Sequence, residues 1–213
     1  MISVILGDVI NSRSITDHSQ WLNPLKKLLS TCGSQPLNWE ITRGDNFQLE
    51  LPEPEFSLQM ALRIKSLIKS LGIRDLDVRM SIGIGEKSFQ GTRVSESNGE
   101  AFINCGEKFE SLKKIKQNLA IKTPWPTVDT EINLLLRFAS IIMDKWTPSS
   151  AEVMYLQLMA KKPLSQKDLI KILELNQSSV SERLTRARSE EILELELFYR
   201  NLISKHTRHD AAH

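Results

Sequence analysis

Alternating apolar and polar residues in the first half of the chain predict strands around a short turn. Residues 39–51 alternate on both sides of Gly44-Asp45, which is typical of a β-hairpin. Residues 2–10 are almost continuously apolar, as expected of a strand buried on both faces. Residues 75–85 alternate again, and residues 118–123 are a candidate for one more strand.

Apolar residues recur every three or four positions between these strands, which predicts amphipathic helices. We expect one helix from about residue 16 to residue 30, a second over 56–71 and a third over about 97–114. The resulting order, βαββαβ, is that of a ferredoxin-like fold with an antiparallel sheet and its helices on one face.

Two prolines at residues 124 and 126 interrupt the pattern, because proline is not tolerated inside a regular helix. Beyond them the apolar spacing is helical throughout. We therefore predict an α+β chain: a ferredoxin-like α/β domain over residues 1–123, followed by an all-α domain over residues 127–213. The expected helices of the second domain cover residues 127–146, 147–160, 165–173, 177–188 and 190–205.

Residues 165–188 have the pattern of a helix-turn-helix, two short helices joined at residues 174–176. Glutamine and serine at the start of the second helix are suited to base edges, and arginines further along are suited to phosphates. The candidate DNA-binding residues are Gln177, Ser178, Ser181, Arg183 and Arg186. The alternative is a small helical bundle with a charged, solvated face. The apolar side of the last helix, with Ile192, Leu195 and Leu202, is a candidate dimer seam.

Composition narrows the class of protein without naming a partner. The chain has 213 residues, 40% of them hydrophobic and 25% charged, as in an ordinary globular protein. Its net charge of +2 lies in residues 1–123, since residues 124–213 are neutral, and neither half is a strongly basic nucleic-acid arm. Its two cysteines argue against a zinc site or a disulfide framework, and its apolar runs are too short to span a membrane. We expect a cytoplasmic protein without membrane partners.

Two acidic residues stand out against this background. Asp8 interrupts an apolar run, where a carboxylate is costly unless it is paired, hydrogen-bonded in a structural network or bound to a metal. Asp45 is at the hairpin tip, where aspartate is also ordinary turn chemistry. In the βαββαβ topology the first strand lies beside the hairpin, so the two carboxylates are expected at one rim of the sheet.

Two converging carboxylates are suited to Mg²⁺ or Mn²⁺, which also takes oxygens from substrate phosphates. The backbone carbonyl of Val9 or Ile10 is a further candidate metal ligand. Polar and basic residues around this rim are candidates for binding a nucleotide: Ser12, Arg13, Arg43, Asn46, Arg79 and Lys108. Gly83 and Gly85 would permit close approach of the backbone to a ligand, or simply end a strand.

Several segments in order resemble the SatD family of bacterial proteins: GDVINSR, RGDNFQ on the hairpin, RMSIGIG on a later strand and SESNGEAF at a helix start. The first half of that family is similar to the palm fold of class III nucleotidyl cyclases and GGDEF diguanylate cyclases. That similarity implies that Asp8 and Asp45 are the two metal-binding aspartates, catalytic if the protein is an enzyme. The hairpin reads Arg43-Gly44-Asp45-Asn46-Phe47, so the first Gly and the Glu of the GGDEF signature are missing.

Three hypotheses follow from these patterns. The first is a bacterial DNA-binding regulator, expected as a homodimer, whose palm-like domain binds a nucleotide and a divalent metal ion. The second is a metal-dependent nucleotidyl cyclase or nucleotidyltransferase with an accessory helical domain. The third is a palm that has lost its chemistry and serves as a dimer scaffold.

Overall fold

The computed structural model describes residues 1–42 and 44–210, and within these residues the chain is α+β. The strands are β1 (Ile2–Ile10), β2 (Trp39–Thr42), β3 (Asn46–Leu51), β4 (Asp77–Gly85), β5 (Lys87–Phe89), β6 (Asn98–Gly99) and β7 (Leu119–Lys122). The helices are α1 (Ser19–Leu29), α2 (Ser57–Ser70), α3 (Glu100–Ile115), α4 (Pro126–Met143), α5 (Pro148–Met159), α6 (Gln166–Leu173), α7 (Gln177–Ala187) and α8 (Ser189–Asp210). The strands and helices expected from the periodicity are present within a few residues. The short pair β5 and β6 was not predicted.

Five strands form one mixed sheet in the order β2-β3-β1-β4-β7. The first four are antiparallel to their neighbours, as the βαββαβ pattern predicted. The prediction of a wholly antiparallel sheet was wrong for the fifth strand, because β7 pairs with β4 in parallel. A parallel neighbour requires a crossover connection, and α3 supplies it.

Helices cover both faces of the sheet, whereas the sequence predicted them on one face. Alternate residues of β1 divide between the two layers, as period-two geometry requires. Ile5 and Val9 belong to the main core with the apolar residues of α1 and α2, while Val4 packs with Ala101 and Cys105 of α3.

The two glycines near the end of β4 allow α3 to pack closely on the sheet. A Cβ atom added to Gly83 would lie 2.2 Å from the carbonyl oxygen of Ala101. One added to Gly85 would lie 2.7 Å from the Ala101 nitrogen. Helix packing therefore accounts for this pair.

The C-terminal helices pack against α2 and enlarge its core. Helix α5 lies along α2, and one contiguous buried cluster extends from Ile5 on β1 to Ile203 on α8. Tyr199 on α8 is fully buried, and its hydroxyl lies 2.6 Å from the Ser57 hydroxyl at the start of α2. The division at the prolines into independently folding domains stays a prediction.

A buried lysine also joins the two parts of the chain. The Lys65 ammonium on α2 lies 2.7 Å from a carboxylate oxygen of Asp77 on β4 and 2.6 Å from one of Asp144, just after α4.

Among the described residues, no helix is both long and apolar enough to cross a membrane.

Candidate functional site

The register of the sheet brings the two predicted acids to one rim. Asp8, near the end of β1, is paired with Asn46 on β3 and with Arg79 on β4. Asp45 precedes Asn46 directly, and its backbone carbonyl accepts a hydrogen bond from the Val9 amide at 3.1 Å. The end of β1 and the hairpin tip are therefore fixed to each other by the backbone.

The hairpin turn has the local geometry that its sequence favours. Gly44 has a φ of +84°, a left-handed conformation that glycine adopts without a steric cost. Thr42 and Asn46 are paired at the end of the hairpin, and Asp45 comes directly before β3. Arg43, a predicted nucleotide-binding residue, lies outside the described residues.

Asp8 is held by an arginine across the sheet. The guanidinium of Arg79 donates to both carboxylate oxygens of Asp8, Nε to Oδ1 at 3.1 Å and Nη2 to Oδ2 at 3.0 Å. Both side chains remain about one fifth exposed, 19% for Asp8 and 21% for Arg79. Two parallel charge-assisted bonds of this kind fix orientation as well as charge. Sequence reasoning assigned Arg79 to a phosphate and missed its contact with Asp8.

Asp45 faces the turn that follows β1. The Ser12 hydroxyl donates to its Oδ2 at 3.2 Å, and Arg13 Nε lies 3.9 Å from the same oxygen. Ser12 is buried, whereas the Arg13 side chain is 91% exposed. The turn is anchored by Asn11, whose side-chain amide donates to the carbonyl of Asp75 at 2.8 Å.

The structure thus gathers most of the predicted nucleotide and metal residues at one rim. These are Asp8, Val9, Ser12, Arg13, Asp45, Asn46 and Arg79. We call this set the rim site.

Lys108 is not part of the rim site. It is on α3, and its charge acts on Asp129 of α4, near the end of β7. Burial raises the pKa of the Asp129 carboxyl, while hydrogen bonds from Thr123 and the charges of Lys108 and Lys122 lower it. The Asp129 Oδ1 accepts the Thr123 amide at 2.8 Å, so this carboxylate joins β7 to α4.

The rim site offers a divalent ion two carboxylates. No group of three or more metal-ligating His, Cys, Asp or Glu side chains converges within the described residues. Mg²⁺ is commonly bound by one or two protein carboxylates, with phosphate and water oxygens completing its shell. This all-oxygen donor set fits Mg²⁺ or Mn²⁺ bound together with a phosphate ligand, provided that Arg79 releases an oxygen of Asp8.

Beside the rim site, a polar segment between β4 and α3 covers the hairpin. Glu40 on β2 is buried and accepts hydrogen bonds from Arg93 and Ser95. Lys87 pairs with Glu50 on β3. The alternation of residues 39–51 put Glu40 and Glu50 on the polar side of the hairpin and did not predict these partners. A hint was available in the polar stretch before α3, which has basic residues suited to that acidic face.

Helices α6 and α7 have the predicted caps. Ser165 and Asp168 form a reciprocal capping box at the start of α6, and the Asn176 side chain accepts from the Ser179 amide at the start of α7. Glu174 in the intervening turn has a φ of +53°, a left-handed conformation at the end of α6. The chain therefore reverses within three residues.

Of the residues predicted for DNA, those in the first turns of α7 are free and the arginines are paired. Gln177, Ser178 and Ser181 are exposed. Arg183 forms an ion pair with Glu152 of α5 at 2.7 Å, and Arg186 forms one with Glu182 at 2.5 Å. Both arginines would have to exchange these partners to contact a phosphate.

Comparison with known proteins identifies the family of the chain. The sequence model of the SatD family matches residues 2–202, nearly the whole chain. No curated protein matches it. The chain therefore belongs to the SatD family, as its motifs indicated.

Proposed function

We propose that this member of the SatD family is a DNA-binding regulator whose palm-like α/β part binds a nucleotide together with Mg²⁺ or Mn²⁺ at the rim site. One observation carries the proposal. Asp8 and Asp45 are 37 positions apart in the sequence but lie at the same rim of the sheet. The backbone amide of Val9 donates a hydrogen bond to the carbonyl of Asp45, and Asp8 is paired with Asn46. Asp8 is on a strand, and Asp45 in the adjoining turn is fixed to that strand by the backbone, which suits a defined ligand geometry.

The metal ion would replace Arg79 as the positive partner of Asp8. Arg79 donates to both Asp8 oxygens, and its positive charge would repel a cation at the same carboxylate, so we expect Arg79 to release an oxygen when the ion binds. The released guanidinium then lies beside the same carboxylate with its donors free. Arginine presents a planar fork that matches phosphate, so a metal-bound phosphate is the natural acceptor.

The turn after β1 would hold the rest of the phosphate group. Ser12 supplies a hydroxyl next to Asp45, and Arg13 extends into solvent from the same turn. A nucleoside triphosphate brings several negative charges, whereas the rim site alone has two acids and two arginines. We therefore expect metal and nucleotide to bind together more tightly than either binds alone.

The DNA-binding part of the proposal is supported by the exposed start of α7. Gln177, Ser178 and Ser181 leave the first turns of this helix with free hydrogen-bonding groups, as a recognition helix requires. Lys167 and Lys171 on α6 are also exposed, and neither forms an ion pair with any described residue. Arg183 and Arg186 would join them at phosphates after releasing Glu152 and Glu182.

A metal-dependent nucleotidyl cyclase or nucleotidyltransferase is the second candidate. The pair formed by Asp8 and Asp45 favours it, because two carboxylates holding divalent ions can activate a hydroxyl and stabilise a leaving pyrophosphate. The two candidates differ in whether the bound nucleotide is converted.

One experiment distinguishes the two candidates. The protein is incubated with Mn²⁺ and labelled ATP or GTP, and the nucleotide is analysed by filter binding and by thin-layer separation. For the regulator we expect retained, unconverted nucleotide, with retention lost in Asp45→Asn. Product that disappears in Asp45→Asn would establish the enzyme instead. Absence of both retention and conversion would contradict both candidates.

A further inference from the structure

Helix α4 has an apolar stripe on the side that faces away from the core. Leu134, Phe138 and Ile141 are 50%, 62% and 60% exposed, respectively. Their spacing of four and three residues puts them on one face of the helix. The opposite face is buried and consists of Val128, Ile132, Leu136, Ala139 and Met143. We call the three exposed residues the α4 stripe.

A groove runs alongside the α4 stripe. It lies between α4 and the turn that connects α3 to β7, and it has a volume of about 540 Å³. Ile115, at the end of α3, contributes another exposed apolar side chain to this groove. Contiguous exposed apolar surface of this kind marks an interaction site in many proteins, while single apolar residues do not.

The charged residues at the two ends of the stripe identify the partner. Glu131 lies on the same side of the helix before the stripe, by the helical spacing. Lys145, two residues beyond the end of α4, lines the same groove as Leu134, Phe138 and Ile141. Both are exposed, and neither forms an ion pair with any described residue. Each is seven residues from Phe138, so the pattern of negative, apolar and positive groups is centred on Phe138. A two-fold rotation about that centre brings the negative end onto the positive end.

We propose that a second copy of this chain covers the α4 stripe, with the two α4 helices packed antiparallel about a two-fold axis at Phe138. Glu131 of one protomer then meets Lys145 of the partner subunit at each end of the contact. The two-fold axis makes the two pairs equivalent, so both form in the same register. Such a contact is isologous and closes at a dimer.

The remaining charges near the stripe are compatible with this contact. Arg137 and Lys116 line the groove and are exposed. Arg137 is more than 60° from the centre of the stripe by helical geometry, on its flank, where a long side chain reaches solvent. Asp144 is bonded to Lys65 within the same chain and is therefore not needed by the partner.

The apolar side of α8, which the sequence predicted as the dimer seam, is used within the chain. Ile192 is buried, and Leu195 and Leu202 pack against the main core. Leu197 and Phe198 on another side of α8 are exposed and define the competing surface.

Sedimentation velocity of the full chain tests the proposal. We expect wild type to sediment as a dimer and Phe138→Glu to sediment as a folded monomer, with an unchanged circular dichroism spectrum. Ile103→Glu changes an equally exposed apolar residue on α3 and is the matched control, which should remain dimeric. A monomeric wild type would overturn the proposal, and so would a dimer broken by Phe198→Glu and unaffected by Phe138→Glu.

Charge exchange tests the antiparallel register without changing the apolar surface. Glu131→Lys alone and Lys145→Glu alone should each weaken the dimer several-fold, because each places like charges at both ends. The double variant with both changes should restore wild-type affinity. Failure of the double variant to recover beyond either single variant would overturn the two-fold contact at Phe138.

Discussion

At the residue scale, the rim site contains a two-bond ion pair between Arg79 and Asp8. The guanidinium neutralises Asp8 and occupies both of its oxygens. A buried carboxylate without a partner is costly, so this pair explains how an acid is tolerated within an apolar strand. The pair also means that a cation must compete with Arg79 for Asp8.

Arg79→Met tests that competition. Removing a unit positive charge about 4 Å from a divalent ion is worth about 2 kcal/mol in water, so Mn²⁺ without nucleotide should bind roughly thirtyfold more tightly. Electron paramagnetic resonance of free Mn²⁺ gives the dissociation constant. Arg208→Met, which removes an exposed arginine near the end of α8, is the control and should leave the constant unchanged. Weaker Mn²⁺ binding by Arg79→Met than by wild type would refute the competition.

Asp129 provides a pH-dependent test of the junction between β7 and α4. Burial is the largest influence on its carboxyl and raises its pKa above the ordinary 3.8. The folded state therefore binds this proton more tightly than the unfolded state does. As the pH rises above 3.8, the contribution of Asp129 to the free energy of unfolding decreases. Asn cannot ionise, and its side-chain oxygen can still accept the Thr123 amide.

Urea unfolding of Asp129→Asn and wild type from about pH 4 to about pH 7 measures this contribution. We expect the stability of the variant relative to wild type to increase with pH. Asp129→Ala loses the bond to Thr123 and should be less stable than Asp129→Asn throughout. A relative stability that decreases with pH would mean that Lys108 and Lys122 outweigh burial.

At the element scale, α6 and α7 carry the DNA-binding hypothesis. Their caps and intervening turn follow directly from Ser165, Asp168 and Asn176. The first turns of α7 are free, but the two arginines are engaged with Glu152 and Glu182. Base-edge and phosphate contacts should therefore respond differently to substitution.

Gel retardation and a salt titration with promoter DNA separate the two kinds of contact. Gln177→Ala should cost about 1–3 kcal/mol on the preferred sequence and little on others. Arg186→Ala should weaken binding to all sequences and reduce the salt slope by about 1. Arg74→Ala should do neither. Absence of DNA binding by wild type would remove the regulator hypothesis.

The elements show how far sequence reasoning extends. Periodicity predicted the helices and the main strands because each depends on local spacing, and the antiparallel order of four strands followed from their sequence order. The position of α3 on the opposite face could not be predicted, because Gly83 and Gly85 are equally consistent with the end of a strand or with a nearby ligand. The partners of Asp8 and Glu40, Arg79 and Arg93, are 71 and 53 residues away, and no local pattern encodes such pairs.

At the scale of the whole molecule, the buried core continues across the prolines at 124 and 126. Helix α5 packs on α2, and Tyr199 on α8 contacts Ser57. Lys65 links β4 to the end of α4 by two carboxylates. The strands that carry the rim site and the C-terminal helices therefore share one hydrophobic core.

We accordingly expect the chain to unfold in a single transition. In a Trp125→Phe and Trp146→Phe variant, tryptophan fluorescence reports the α/β part through Trp21 and Trp39, while most of the helical circular dichroism comes from later residues. The two probes should give coincident urea curves. Leu62→Ala, in the shared cluster, should shift both curves together and lower the free energy of unfolding by about 2–5 kcal/mol. Two separate transitions would show that residues 1–123 and 127–213 fold independently.

The central claim is that Asp8 and Asp45 bind a metal-nucleotide complex at the rim of the sheet. Isothermal titration calorimetry tests this claim most directly. ATP or GTP with Mn²⁺ is titrated into wild type, into the double variant with Asp8→Asn and Asp45→Asn, and into Glu53→Gln, an exposed control. We predict that wild type and the control bind with the same affinity. The double variant should bind at least tenfold more weakly, which is a loss of about 1.4 kcal/mol or more in binding free energy. Equal affinity of the double variant and wild type would contradict the claim.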